Sequence, residues 1–208
     1  MISRLSCIGL ALCLSAAGLT DSLAASPPTE TISRENPVPS GTLTHPTGLA
    51  FPARIASLYR GQVVDYEQQQ PGRGLGVAYR YNNDAGLKID VYLYDYRQTV
   101  PEGVDNPVVQ GEAKRSSGEI DYMAQHGLYA DVMHGPIETC RSGTTEFLCE
   151  AVRYTTQRGE PVQVRSILLL RGSKGHFFKF RMTWPQAEEA QAREAEAFVT
   201  GLLNAQPR

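Results

Sequence analysis

After residue 46, apolar residues recur at every second position along most of the chain, which is the spacing of a half-buried strand. The clearest case is GLKIDVYLYDY, residues 86–96, where Leu87, Ile89, Val91 and Leu93 alternate with Lys88, Asp90, Tyr92, Tyr94 and Tyr96. NNDAG before it is a turn signal. Similar reasoning predicts strands over 47–52, 61–67, 74–82, 128–134, 145–157, 161–172 and 175–184. RGEP and GSKG are short turns that make the last three an antiparallel meander. The period changes to helical in two places. Over 107–125, Val109, Ala113, Ser116, Ile120 and Met123 fall on one face, with Asn106 placed to cap and Pro107 at the first position. Over 185–206, Pro185 opens a second helix with Ala195, Phe198, Val199 and Leu202 as its inner stripe. Strands, helix, strands, helix, with hairpin-length connections, predict the α+β class. The expected architecture is a mainly antiparallel sheet of about six or seven strands carrying two helices.

The segment before residue 47 has no such pattern. Residues 1–24 carry Arg4, then an apolar run from Leu5 to Leu19, then Ser22 and Ala24 at the −3 and −1 positions of a signal-peptidase site. The run is too short to cross a bilayer comfortably. A lipoprotein anchor at Cys13 would need a small residue where Leu12 stands. A cleaved signal peptide is therefore expected, with cleavage near Ala24, a periplasmic or secreted product and no stable membrane insertion afterwards. Residues 25–46, ASPPTETISRENPVPSGTLTHP, are polar and proline-rich and read as a disordered or extended arm. The expected organisation is 1–24 signal, 25–46 arm and 47–208 a single α+β domain.

Charge narrows the function classes. The net charge is −2, and removing Arg4 and Asp21 with the signal leaves it unchanged. No basic footprint points to nucleic acid.

Signal removal also takes Cys7 and Cys13, so Cys140 and Cys149 stand alone in CRSGTTEFLC. Zinc requires about four ligands, and the four histidines are scattered. A redox pair favours a C-x-x-C spacing. An oxidising compartment favours a structural disulfide between Cys140 and Cys149. If the two sat directly opposite, the turn would centre on Thr144 and Thr145, which suit a type I′ turn poorly. A wider loop using Gly143 is expected, with the bridge closing its base.

Four stretches together resemble the PsbP-like α/β/α sandwich over residues 47–204. They are TGLAFP, the IDVYLYDY strand running into a helix, HGLYADV, and GHFFKFRMTWP followed by an alanine-rich helix. The resemblance implies a non-enzymatic binding or assembly role and supplies no catalytic, cofactor or metal residues. The disulfide is outside the family pattern.

Other signals for chemistry are weak. GRGLG, residues 72–76, is followed by a strand, whereas a phosphate loop needs a helix there, so it reads as a turn. Asp131 and His134 in DVMH do not read as a metal site. No catalytic residue, cofactor or metal is expected. Tyr92, Tyr94 and Tyr96 share one strand face, with Tyr79 and Tyr81 on the preceding strand. That face either lies under a helix or forms an exposed patch for a protein, peptide or glycan, and it is the candidate binding surface. The functional expectation is an exported, non-enzymatic binding or assembly module whose partner is a protein or envelope component. The alternative is a small periplasmic hydrolase or ligand carrier whose site is invisible in sequence.

Overall fold

Every strand predicted between 47 and 184 is present, in part or whole, in the computed structural model, which describes residues 40–207. The expected signal segment and residues 25–39 of the expected arm lie outside the described residues. In chain order the elements are β1 (Thr42–Thr44), β2 (Ala50–Pro52), β3 (Arg54–Ile55), β4 (Leu58–Asp65), α1 (Tyr66–Gln69), β5 (Val77–Asn82) and β6 (Lys88–Tyr94). Then come α2 (Pro107–Gln125), β7 (Tyr129–His134), β8 (Glu138–Ser142), β9 (Thr145–Thr156), β10 (Val162–Ser173), β11 (His176–Pro185) and α3 (Ala190–Asn204). The class is α+β, as the alternation implied.

The main sheet is antiparallel and nine-stranded, larger than the six or seven strands expected. Its order is β3-β4-β5-β6-β11-β10-β9-β7, with β8 pairing the other end of β9. The extra strands are those that pattern cannot register. β3 has two residues, and β8 reads ETCRS, with no apolar alternation. β1 pairs β2 in a separate hairpin, so the fold begins inside the stretch expected to be an arm. The short helix α1 is capped by Asp65, whose carboxylate accepts the Gln68 amide at 2.8 Å.

α2 has the predicted limits, and the Asn106 carboxamide accepts the Val109 amide at 3.0 Å. α3 begins at Ala190, not at Pro185. Pro185 instead ends β11 opposite Val164, where its missing N–H costs the ladder least.

α2 and α3 cover opposite faces of the sheet. Ile89, Val91 and Leu93 of β6 point to α3, where they meet Phe198, Val199 and Leu202 beneath Phe180 and the buried Trp184. The opposite face carries Leu148, Leu170 and Phe177 under Val109 and Ala113 of α2. Period two in the strands therefore becomes one core on the α3 face and two clusters on the α2 face, the second joining Ile120 to Val152, Tyr154 and Val164.

Candidate functional site

The face of the sheet under α2 is unusually polar. β6 turns Asp90, Tyr92 and Tyr94 toward the helix, and β11 turns Lys179, Arg181 and Thr183 the same way through the register Lys179–Tyr92 and Arg181–Asp90. Tyr94 is 4% exposed, and its hydroxyl donates to the buried carboxylate of Glu112. Arg115 closes on the same carboxylate with two bonds, at 2.7 Å from Nε and 2.6 Å from Nη2. It also donates to the Tyr96 hydroxyl. Lys179, buried against the Tyr92 and Tyr94 rings, donates from Nζ to Ser116 Oγ and Glu119 Oε2, each at 3.3 Å. Burial is the largest influence on this ammonium and pulls its pKa below the usual lysine value, against the attraction of Glu119.

This settles where the three tyrosines of the candidate surface stand. They do not form an open patch. Tyr94 is buried, and Tyr92 and Tyr96 are half-buried against the core formed with α2. Tyr96 is not on the strand at all. It follows the end of β6 in a turn with φ 50°, next to Arg97 at φ 61°. Tyr79 and Tyr81 are opposite Val91 and Ile89 in register, so they share the α3 face and not the Tyr92 face.

Beyond Lys179, α2 and the sheet diverge and leave a groove of about 590 Å³. Tyr92, Tyr122, Tyr129 and Tyr154 wall it, with Ile120 and Met123 from the helix. Tyr129 stacks on Tyr154 with ring centroids 4.1 Å apart. Burial is the main cause that pushes the Tyr154 phenol up to about 12. Arg181 lies on the groove floor, where Nη2 donates to the Ser116 carbonyl at 2.7 Å. Concave, aromatic-walled and provided with a few fixed polar groups, this groove has the features of a small-ligand or peptide site. Only Tyr92 of its walls was singled out by the sequence. Tyr122, Tyr129 and Tyr154 come from three separate elements, and no local pattern joins them.

The cysteines lie on the other face. β8 and β9 form a tight hairpin in which Ser142 pairs Thr145 and Cys140 pairs Phe147. The expected wider loop is absent. Gly143 alone has positive φ, at 60°, as in a type II′ turn, so Thr144 needs no left-handed backbone. Cys149 stands opposite Glu138, which makes the two cysteines diagonal neighbours on one face. Both thiols are free, half-buried and in contact, and Cys149 Sγ donates to the Glu138 carbonyl at 3.4 Å. Burial pushes the Cys149 thiol up to about 12 and raises Cys140 as well, so neither is an activated thiolate. They border an apolar cleft of about 360 Å³ between α3 and the strands, lined by Phe147, Ile167, Leu169 and Val199.

His134 and Asp131 are not brought together. Asp131 accepts from Thr155 at 3.1 Å. His134 Nδ1 lies 2.7 Å from Glu150 Oε1, and its Nε2 lies 3.1 Å from Asp121 Oδ1. Ser117 Oγ donates to the same Glu150 oxygen at 2.7 Å. Ser117 Oγ also lies 3.3 Å from His134 Nδ1, so the ring stands between Ser117 and Asp121, but Ser117 directs its proton to Glu150 and not to the ring. Partial burial is the largest influence on His134 and opposes its charge, but the bonds to Glu150 and Asp121 outweigh it and raise the pKa. A raised folded-state pKa gives stability that is complete below the unfolded value of about 6.5 and is lost as pH rises through the folded value. The stability advantage of the wild type over His134→Gln should therefore shrink between neutral and alkaline pH in thermal melts. A constant or growing advantage would contradict the assignment.

GRGLG is a loop, as its context implied. The Gly72 and Leu75 amides donate to the Glu67 carboxylate at 2.6 and 2.9 Å, so the protein's own side chain occupies the place an anion would take. Among the described residues no group of histidine, cysteine and acidic side chains converges for a metal, and no helix is long and apolar enough to cross a membrane.

No family model and no curated protein sequence matches the chain. Several solved structures are similar to it, among them the following two. One is a crystal structure of a protein from Bacteroides thetaiotaomicron VPI-5482, at 14% identity and TM-score 0.44, over 78% of this chain. The chain spans 47% of that protein. The other is the solution structure of cyanobacterial PsbP (CyanoP) from Synechocystis sp. PCC 6803, at 12% identity and TM-score 0.43, over 71% of this chain and 92% of that one.

Proposed function

We propose that the chain is an exported, non-enzymatic binding module of the cell envelope and that it takes its partner in the groove beside α2. The observation that carries this reading is the groove itself: four tyrosines and a fixed guanidinium around about 590 Å³. Export rests on the N-terminal pattern of Arg4, an apolar run and Ser22/Ala24. In an oxidising compartment Cys140 and Cys149 lose two hydrogens to a thiol oxidant and join as a disulfide. Closing those ten residues is worth about 2.7 kcal/mol in the chain-entropy model. Intact mass of the exported protein should be two hydrogens below the dithiol form. Two alkylatable thiols in the unreduced protein would contradict it.

The test is affinity capture of the exported protein from the envelope, with Tyr122→Ala in parallel. An envelope component recovered with the wild type and lost with the variant supports the reading. Equal recovery with both, or turnover in a hydrolase panel, contradicts it. A second reading, ligand carriage, is favoured by the apolar cleft between α3 and the cysteine hairpin.

A further inference from the structure

We propose that the groove beside α2 selects a ligand with an aromatic body and one carboxylate, the carboxylate facing Arg181 and Lys88. This rests on the reading of that groove as the binding site and names its ligand class.

The first support is a pair of cations left without carboxylate partners. Lys88 and Arg181 line the groove beside Asp90 and Glu119. The carboxylates are already engaged. Glu112 is gripped by Arg115 at 2.6 Å. Glu119 spans Arg115 at 3.0 Å and Lys179 at 3.3 Å. Asp90, although opposite Arg181 in register, accepts from the Tyr92 hydroxyl at 3.2 Å and lies 3.6 Å from Arg80. Neither Lys88 nor Arg181 has an ion-pair partner among the described residues.

The second support is an orphaned donor. Arg181 Nη2 is fixed to the Ser116 carbonyl at 2.7 Å, while Nη1 is buried and has no hydrogen-bond partner among the described residues. A buried donor left unmatched is costly, and a planar guanidinium suits a carboxylate. Nη1 is closed to solvent, so direct contact requires a neighbouring side chain to turn aside.

The third support is the wall. Tyr129 and Tyr154 stack on one another, and Tyr92, Tyr122 and Met123 also line the groove. Such a wall offers aromatic faces on which the ring of an aromatic ligand can stack. A free arylcarboxylate and the C-terminal aromatic residue of a peptide offer the same chemistry.

Calorimetry on the full chain tests this with 3-phenylpropanoate, N-acetylphenylalanine and their two amides. The acids should bind at least about tenfold more tightly than the amides, the scale of one charge-assisted bond. Preference between the acids distinguishes the free ligand from the peptide end. Arg181→Gln should bring acid affinity down to that of the amide and leave the amide unchanged. Lys88→Gln, at an exposed strand position, should weaken only the acid, so the outcome does not depend on how well Arg181→Gln folds. Equal binding of acid and amide, both weakened by Tyr122→Ala, would overturn the carboxylate while leaving the groove. Binding unchanged by Tyr122→Ala and Arg181→Gln would overturn the groove as well. Absence of any acid binding overturns the proposal outright.

Discussion

Tyr94→Ser should lower the melting temperature by on the order of 10 °C. The ring packs edge-on to Tyr96 at 5.0 Å and against Phe177 at 5.2 Å, and its side chain is 4% exposed. Truncating a buried aromatic side chain costs about 3–5 kcal/mol, and about 1 kcal/mol corresponds to roughly 2–4 °C in a unit of this size. The loss exceeds that of packing alone, because the buried Glu112 carboxylate also loses the hydroxyl that donates to it. Tyr122→Ser is the natural control. Tyr122 is 59% exposed at the groove mouth and should shift stability by no more than about 0.5 kcal/mol. Equal melting of wild type and Tyr94→Ser would mean that the α2 face is not packed as described.

Gly172→Ala should be at least as damaging, for a reason of space alone. Its backbone is not left-handed, so an alanine there is not strained by φ. A Cβ on Gly172 would instead lie 1.7 Å from the Pro101 carbonyl oxygen. That carbonyl belongs to the segment that crosses β10 and bonds it twice, Gly103 N to Gly172 O at 3.0 Å and Gly172 N to Gly103 O at 2.8 Å. Forcing the two apart costs both bonds, about 1 kcal/mol each, plus about 1–3 kcal/mol of overpacking. The segment leads directly into the Asn106 cap, so the loss should spread to α2. Hydrogen exchange should show faster opening of the α2 amides in this variant than of the β5–β6 amides. Gly118, where an added Cβ meets nothing within 4 Å, should accept alanine without loss.

These two positions show what patterning can and cannot reveal. Alternation located β6, and helical spacing with an Asn-Pro start placed α2 at its observed limits. Both signals are local. The strands that were missed have too few apolar residues to alternate, as in ETCRS. The tight turn at Gly143–Thr144 was missed because the bridge was drawn between residues directly opposite, whereas Cys140 and Cys149 are diagonal neighbours. The site was hardly legible. Tyr92 belongs to it, but Tyr122, Tyr129 and Tyr154 are brought in by α2, β7 and β9, and only the register of β6 on β11 sets Arg181 beside Asp90. Close approaches such as Gly172 to Pro101 are likewise products of the assembled sheet.

The most direct test of the account is a tyrosine-ring-labelled spectrum of the full chain titrated with 3-phenylpropanoate. The resonances of Tyr92, Tyr122, Tyr129 and Tyr154 should move together and saturate, while those of Tyr79 and Tyr81, on the α3 face, stay in place. Saturating shifts at Tyr79 and Tyr81 with the groove tyrosines unmoved would contradict it.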